Sequence, residues 1–164
     1  MNKITNPFLI YGYAGPDYFC DRKEDTQKLI SALRNGRNIT LMSPRRMGKT
    51  GLIKNAFYQI HQENPEAACF YMDIFSTTCL NDFIILFGQT VVGKLDTLSQ
   101  KALTTLTGFF RSCRIVFSSD PLNGTPQAAL DFQPSQAQAT LKEIFEYLEH
   151  SGKECYIADR KSVV

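Results

Sequence analysis

The sequence predicts an α/β sandwich built on a mainly parallel sheet. Two observations carry this. Short apolar runs at 38–42 (NITLM), 68–74 (ACFYMDI) and 154–158 (ECYIA) alternate with longer segments whose apolar residues recur at helical spacing. The run at 68–74 is nearly continuous in apolar character, as a strand covered on both faces would be.

Taken in order, a loop rich in Gly, Pro and Tyr precedes a first helix over 22–35, with Leu29, Ile30 and Leu33 on one face, Asp21 as its N-cap and Gly36 as its terminator. The run 38–42 is the first strand. From Lys49, Leu52, Ile53, Ala56, Phe57 and Ile60 keep helical spacing until Asn64-Pro65 stops it. After the strand at 68–74, a helix over 81–95 turns Phe83, Ile84, Phe87, Val91 and Leu95 inward, with its cap in the 76–81 turn. A helix over 99–110 leads into 118–134, where Pro, Gly, Asn and Ser cluster as in a loop or lid-like connector. The last helix, 135–150, places Ala137, Leu141, Ile144, Phe145 and Leu148 on one side, before the strand at 154–158.

Composition narrows the function classes. A chain of 164 residues with 43% hydrophobic residues has the make-up of one folded domain. Its 18 basic and 16 acidic side chains leave a net charge of +2, which gives no general attraction to nucleic acid or an anionic membrane. No run approaches a membrane span and the N-terminus lacks the apolar core of a signal peptide. Five scattered cysteines without a Cys-x-x-Cys pair suggest reduced thiols in a cytoplasmic protein. Cys69, Cys155, Phe70 and Tyr71 are expected in the core, and His61 and His150 sit near helix C-termini, where a positive charge is favoured.

The chemistry is concentrated in Ser43-Pro44-Arg45-Arg46-Met47-Gly48-Lys49-Thr50. At the start of a helix, backbone N–H groups converge and the helix dipole favours anions. Gly48 lets the backbone turn without a Cβ, Lys49 suits the β- and γ-phosphates, and the Thr50 hydroxyl suits Mg²⁺. Ser43 stands where the general pattern has its first glycine and fits if its φ is negative; Pro44 fits where no N–H faces phosphate. Gly-Lys-Thr alone is a weak signal, but an apolar strand before it and an amphipathic helix after it are the context that a phosphate loop requires. Arg45 and Arg46 have two readings, phosphate or partner contact and a solvated basic loop, and neither is assigned a catalytic role. Asp73 likewise either orders the site or caps its strand.

Together with this loop, GPDYFCDRKEDTQKLISAL resembles the upstream box of prokaryotic AAA-type and STAND-like P-loop ATPases, the group related to archaeal ATPases, and the likeness covers residues 6–158. The resemblance implies a P-loop NTPase sandwich, incomplete in this chain, with ATP and Mg²⁺ as ligands and Lys49 as the catalytic lysine. The cradle would be Ser43 through Gly51, and Tyr18, Phe19, Asp21 and Arg22 with Glu24 would pack beside the base; capping of the first helix is the other reading of that box. It also implies a later strand ending in Asp-Glu, for Mg²⁺ and for the attacking water. Here Asp159 is followed by Arg160, so Asp159 is not counted as a ligand and turnover by this chain is left open. The tail DRKSVV matches one reading frame of a common sequencing adapter; residues 159–164 are therefore expected to be non-native and 1–158 to be the N-terminal part of an ATPase domain.

The expected function is ATP binding, with hydrolysis by a longer parent. A GTPase or small-molecule kinase could share the loop, but no Asn-Lys-x-Asp guanine signature occurs. The non-enzymatic alternative is a nucleotide-regulated module that binds nucleic acid or protein, through the Arg45-Arg46 loop or a further C-terminal domain.

Overall fold

A computed structural model describes residues 13–19, 21–44, 46–95, 110–119 and 126–161. Helices and strands are mixed, and the chain divides into two compact units, Met1–Ala67 and Ala68–Val164. Among the described residues no helix is long and apolar enough to cross a membrane.

The first unit is built on two helices, α1 (Lys23–Arg34) and α2 (Lys49–Glu63). Glu24 and Asp25 in the first turn of α1 and Arg34 in its last complement the helix dipole. Gly36, at φ 65°, ends the helix as expected: its N–H donates to Leu33 O and the Arg37 N–H reaches back to Ala32 O, the double closure of a Schellman motif. Asp21 is not the N-cap. The first helical bond runs from Thr26 N to Arg22 O, which makes Arg22 the cap residue, and Asp21 lies outside it at φ 65°.

The helices lie side by side and run in the same sense. Arg22 meets Met47 at one end, Gln27 meets Gln59 in the middle, and Arg34 pairs with Glu63 at the other. Leu29 and Ile30 of α1, with Leu52, Ala56 and Ile60 of α2, are buried. A parallel pair joined in sequence needs a return segment, and 37–44 provides it. It is not the strand expected at 38–42: no ladder partner joins it among the described residues, and Ile39 is 38% and Met42 88% exposed. Apolar, β-branched composition favours extended backbone, but a strand exists only through hydrogen bonds to a neighbour.

In the second unit, β1 (Ala68–Asp73) and β4 (Cys155–Arg160) pair in parallel, from Ala68 with Cys155 to Asp73 with Arg160. This agrees with a parallel sheet at the two later apolar runs. β4 continues through Asp159 and Arg160, because ladder bonds use backbone groups whatever the side chain. Phe70 and Met72 of β1 are buried whereas Cys69 and Tyr71 are half-buried, so one face is covered more completely than the other. Burial pushes the Cys69 thiol up to about 11 against the opposing pull of Lys94, which keeps it protonated at neutral pH.

Helix α3 (Leu80–Leu95) follows β1 and turns Ile84, Phe87, Val91 and Leu95 inward. Its start is held by Asp82, which accepts from Thr78 Oγ1 at 2.6 Å, Thr78 N at 2.8 Å and Cys79 N at 3.3 Å. The helix expected over 99–110 lies outside the described residues except for Phe110, which is buried. The stretch expected as a connector is instead part of an antiparallel hairpin, β2 (Arg114–Ser119) with β3 (Pro126–Asp131). Residues 120–125 lie outside the described residues, and Pro126 opens β3 where its missing N–H costs least. The last helix, α4 (Ala137–His150), buries Ala137, Ile144 and Leu148 as expected, but Phe145 is 51% exposed and Thr140 and Tyr147 are buried instead.

Gly88 of α3 faces Leu130 of β3 so closely that an added Cβ would lie 2.0 Å from Leu130 Cδ1 and 2.9 Å from its Cγ. Gly88→Ala should cost about 1–3 kcal/mol by overpacking, measured by urea denaturation, and the cost should shrink in a Leu130→Ala background. The Asp82 cap gives a pH signature. The Thr78 hydroxyl, then the Thr78 amide, hold its carboxyl below the ordinary carboxylate range. A folded-state pKa that is lowered contributes stability above the unfolded pKa and loses it as pH falls through the folded one. Thermal melts should therefore show Asp82→Ala unfolding earlier than the parent at neutral pH, with the gap closing below roughly pH 4.

Candidate phosphate-binding site

The site lies in the first unit, where the return segment meets α2. The backbone enters α2 through two residues in the left-handed region, Arg46 at φ 65° and Gly48 at φ 71°, with Gly48 as the N-cap. A side chain at φ 71° is disfavoured, which is the physical need for glycine there. Among described non-glycine residues only Asp21 and Arg46 have positive φ, so Ser43 keeps the negative φ that lets a serine stand in the first-glycine position.

The start of α2 suits an anion. Its N-cap, Gly48, has no side chain to cap with, and its first turn holds no acidic residue. The first four N–H groups of a helix have no intrahelical partner, and the dipole adds positive potential there. Lys49 Nζ donates to Ser43 O at 2.5 Å, Pro44 O at 2.8 Å and Ser43 Oγ at 3.1 Å. The ammonium thus lies across the mouth of the loop on neutral acceptors, and the Ser43 hydroxyl is one of them. Thr50 follows in the first turn and is half-buried; Arg46 and Met47 are exposed, and Arg45 lies outside the described residues.

Two residues of the upstream box converge on this loop. The Phe19 ring covers the first turn of α2: a Cβ at Gly51 would come within 3.2 Å of Phe19 Cε2. Arg22 Nη1 donates to Met47 O at 3.0 Å, while its Nε and Nη2 each lie 2.9 Å from Asp25 Oδ2. Tyr18 closes the short 3₁₀ turn Pro16–Tyr18 before them, and Glu24 sits in the first turn of α1. Arg22, Leu29, Ala32, Ile39, Leu41 and Leu52 wall a cleft of about 270 Å³, with Asp25 and Lys28 at its polar rim. That is just below the volumes common for small-molecule sites, roughly 300–1,000 Å³.

Behind these residues runs a polar network that local patterns did not mark. Tyr13 Oη donates to Asn55 Oδ1 at 3.0 Å, Asn55 Nδ2 to Thr26 Oγ1 at 3.3 Å, and Thr26 Oγ1 to Arg22 O at 2.8 Å. Burial, then the fields of Tyr58 and Asp17, push the Tyr13 phenol above its usual range, so it stays a donor. Its available signal was Asn55, a polar residue on the inward face between Leu52, Ala56 and Ile60. Asp73, in the second unit, caps the turn after β1 by accepting from Phe75 N at 3.1 Å and lies 3.8 Å from Arg160, which agrees with the capping reading. His61 and His150 fall in the last turns of their helices as expected. No group of three His, Cys, Asp or Glu among the described residues could hold a metal.

Tyr13→Phe should destabilise the chain by about 1 kcal/mol in chemical denaturation, because Asn55 Oδ1 loses its donor inside a largely buried network. No family model, curated protein or solved structure matches the chain.

Proposed function

We propose that the chain binds ATP with Mg²⁺ through the loop 43–51. The observation that carries the reading is the start of α2: a helix capped by a left-handed glycine, free of acid in its first turn, with Lys49 laid over the loop. A polyphosphate suits these groups. Its oxygens accept from backbone N–H groups at the helix end, and its charge draws the Lys49 ammonium from neutral carbonyls, since charge-assisted bonds are roughly twice as strong as neutral ones. The residues present fit the group. Mg²⁺ keeps several of its waters and binds largely through the substrate phosphates, and the Thr50 hydroxyl would be one of its protein ligands. The cleft bordered by Arg22 and Leu52 would take the nucleoside, which extends the reading from phosphate to nucleotide. ATP rather than GTP follows from the resemblance of the box and loop and from the lack of a guanine signature. Hydrolysis by this chain is slow in this reading, since Asp159 is not followed by the glutamate that would activate water.

Titration of the chain with a fluorescent ATP analogue and Mg²⁺ tests this. Saturable binding is expected, displaced by ATP well before GTP, and weakened about tenfold or more by Lys49→Ala with an unchanged circular dichroism spectrum. Equal binding by the Lys49→Ala chain would refute the phosphate cradle; equal displacement by GTP would refute the adenine preference. Retention of DNA that is sensitive to salt and needs no nucleotide would favour the non-enzymatic alternative.

A further inference from the structure

We infer that Arg22 is a positioning residue that sets the direction of the Gly48 N–H, and so the geometry of the phosphate cradle, by holding the Met47–Gly48 peptide. The inference rests on the proposed nucleotide reading for its consequence, but its structural half stands alone. The guanidinium is itself held on one side, with Nε and Nη2 both on Asp25 Oδ2, three residues along α1. Its remaining edge donates from Nη1 to Met47 O. Carbonyl and N–H of one trans peptide point in opposite directions, and no described peptide bond is cis. Turning the Met47 carbonyl toward Arg22 therefore turns the Gly48 N–H away from it. The same peptide plane determines φ of Gly48, the 71° entry into α2.

The backbone of the cap needs this help. Glycine populates both signs of φ, so without a tether the Met47–Gly48 plane could flip at little cost and present a carbonyl oxygen where the cradle needs a donor. Such an oxygen would repel a phosphate instead of binding it. Arginine suits the task because its fork can be fixed by one partner and still donate to another. A lysine would keep the charge and lose the doubly anchored geometry. The Thr26 hydroxyl on Arg22 O adds a second hold, on the backbone that carries the fork.

A base-contacting arginine and a loop-holding arginine predict different things. The full chain with ¹⁵N-labelled glycine gives the first readout, the amide resonance of Gly48 without any ligand. The second is affinity for Mg²⁺–tripolyphosphate, a probe with neither base nor sugar. Arg22→Lys and Arg22→Ala should each move the Gly48 resonance in the free chain and weaken tripolyphosphate about tenfold, with Asp25→Asn causing a smaller loss of the same kind. Gly36, distant in sequence and set by its own helix-end bonds, should keep its resonance, which separates a local effect from general unfolding. An unmoved Gly48 resonance in Arg22→Lys overturns the inference. So does a loss confined to ATP with tripolyphosphate affinity intact, which would place Arg22 on the nucleoside instead. If the parent chain binds neither ATP nor tripolyphosphate, the nucleotide reading and the proposed role in phosphate binding both fail, while the Gly48 resonance still decides whether Arg22 sets the peptide.

Discussion

The first unit depends on the left-handed entry into α2 at Gly48. One residue at φ 71° turns the return segment into a helix whose first N–H groups have no intrahelical partner. The other features gather around that turn. Phe19 lies on the first helical turn because Gly51 has no Cβ, Arg22 reaches the carbonyl just before the turn, and Lys49 folds back over the residues preceding it. Arg46 accepts a left-handed φ of its own, at a cost of roughly 1–2 kcal/mol for a residue with a side chain. Strain of this kind persists only where surrounding contacts over-determine the backbone, and it concentrates where a loop has a task.

The parallel arrangement of α1 and α2 explains why box and loop meet. Two helices running in the same sense bring their N-termini together, so residues just before α1 come to lie beside residues just before α2. The contacts along the pair, from Arg22 with Met47 to Arg34 with Glu63, keep that alignment, and the buried leucines and isoleucines between them supply the burial energy. The Tyr13–Asn55–Thr26 chain ties the first turn of α1 to the middle of α2 through polar bonds. An interior polar network that is fully satisfied specifies one register where an apolar seam alone would tolerate sliding.

Much of this was legible locally. Helix limits followed from apolar spacing and from stops such as Gly36 and Asn64-Pro65, because those signals act within a turn or two. The parallel pairing of the later apolar runs followed from their alternation with helices. The hairpin at 114–131 was missed because its turn formers outweighed two short strands, one of them carrying Ala128 and Ala129, which have little strand preference. The segment 38–42 was misjudged for the opposite reason: its composition suits a strand, but strand formation is a property of a pair. At the site, Gly48, Lys49 and Thr50 were readable as a local motif. The Arg22–Met47 bond, 25 residues apart, and the Phe19–Gly51 contact obey no local period, and only the helix pairing brings them about.

Ser43 shows how a departure from pattern can be physically neutral or better. Glycine at that position would supply a carbonyl for the Lys49 ammonium and nothing more, whereas serine supplies the carbonyl and a hydroxyl. A lysine held by its own loop is preorganised: less of its rotamer entropy would remain to be lost on binding the proposed phosphate. In the proposed nucleotide reading the same bonds oppose binding, since a phosphate would have to displace them. The balance turns on charge. Three neutral oxygens satisfy an ammonium without neutralising it, and a phosphate does both, so the ligand-free arrangement can hold the side chain in place while yielding it to an anion.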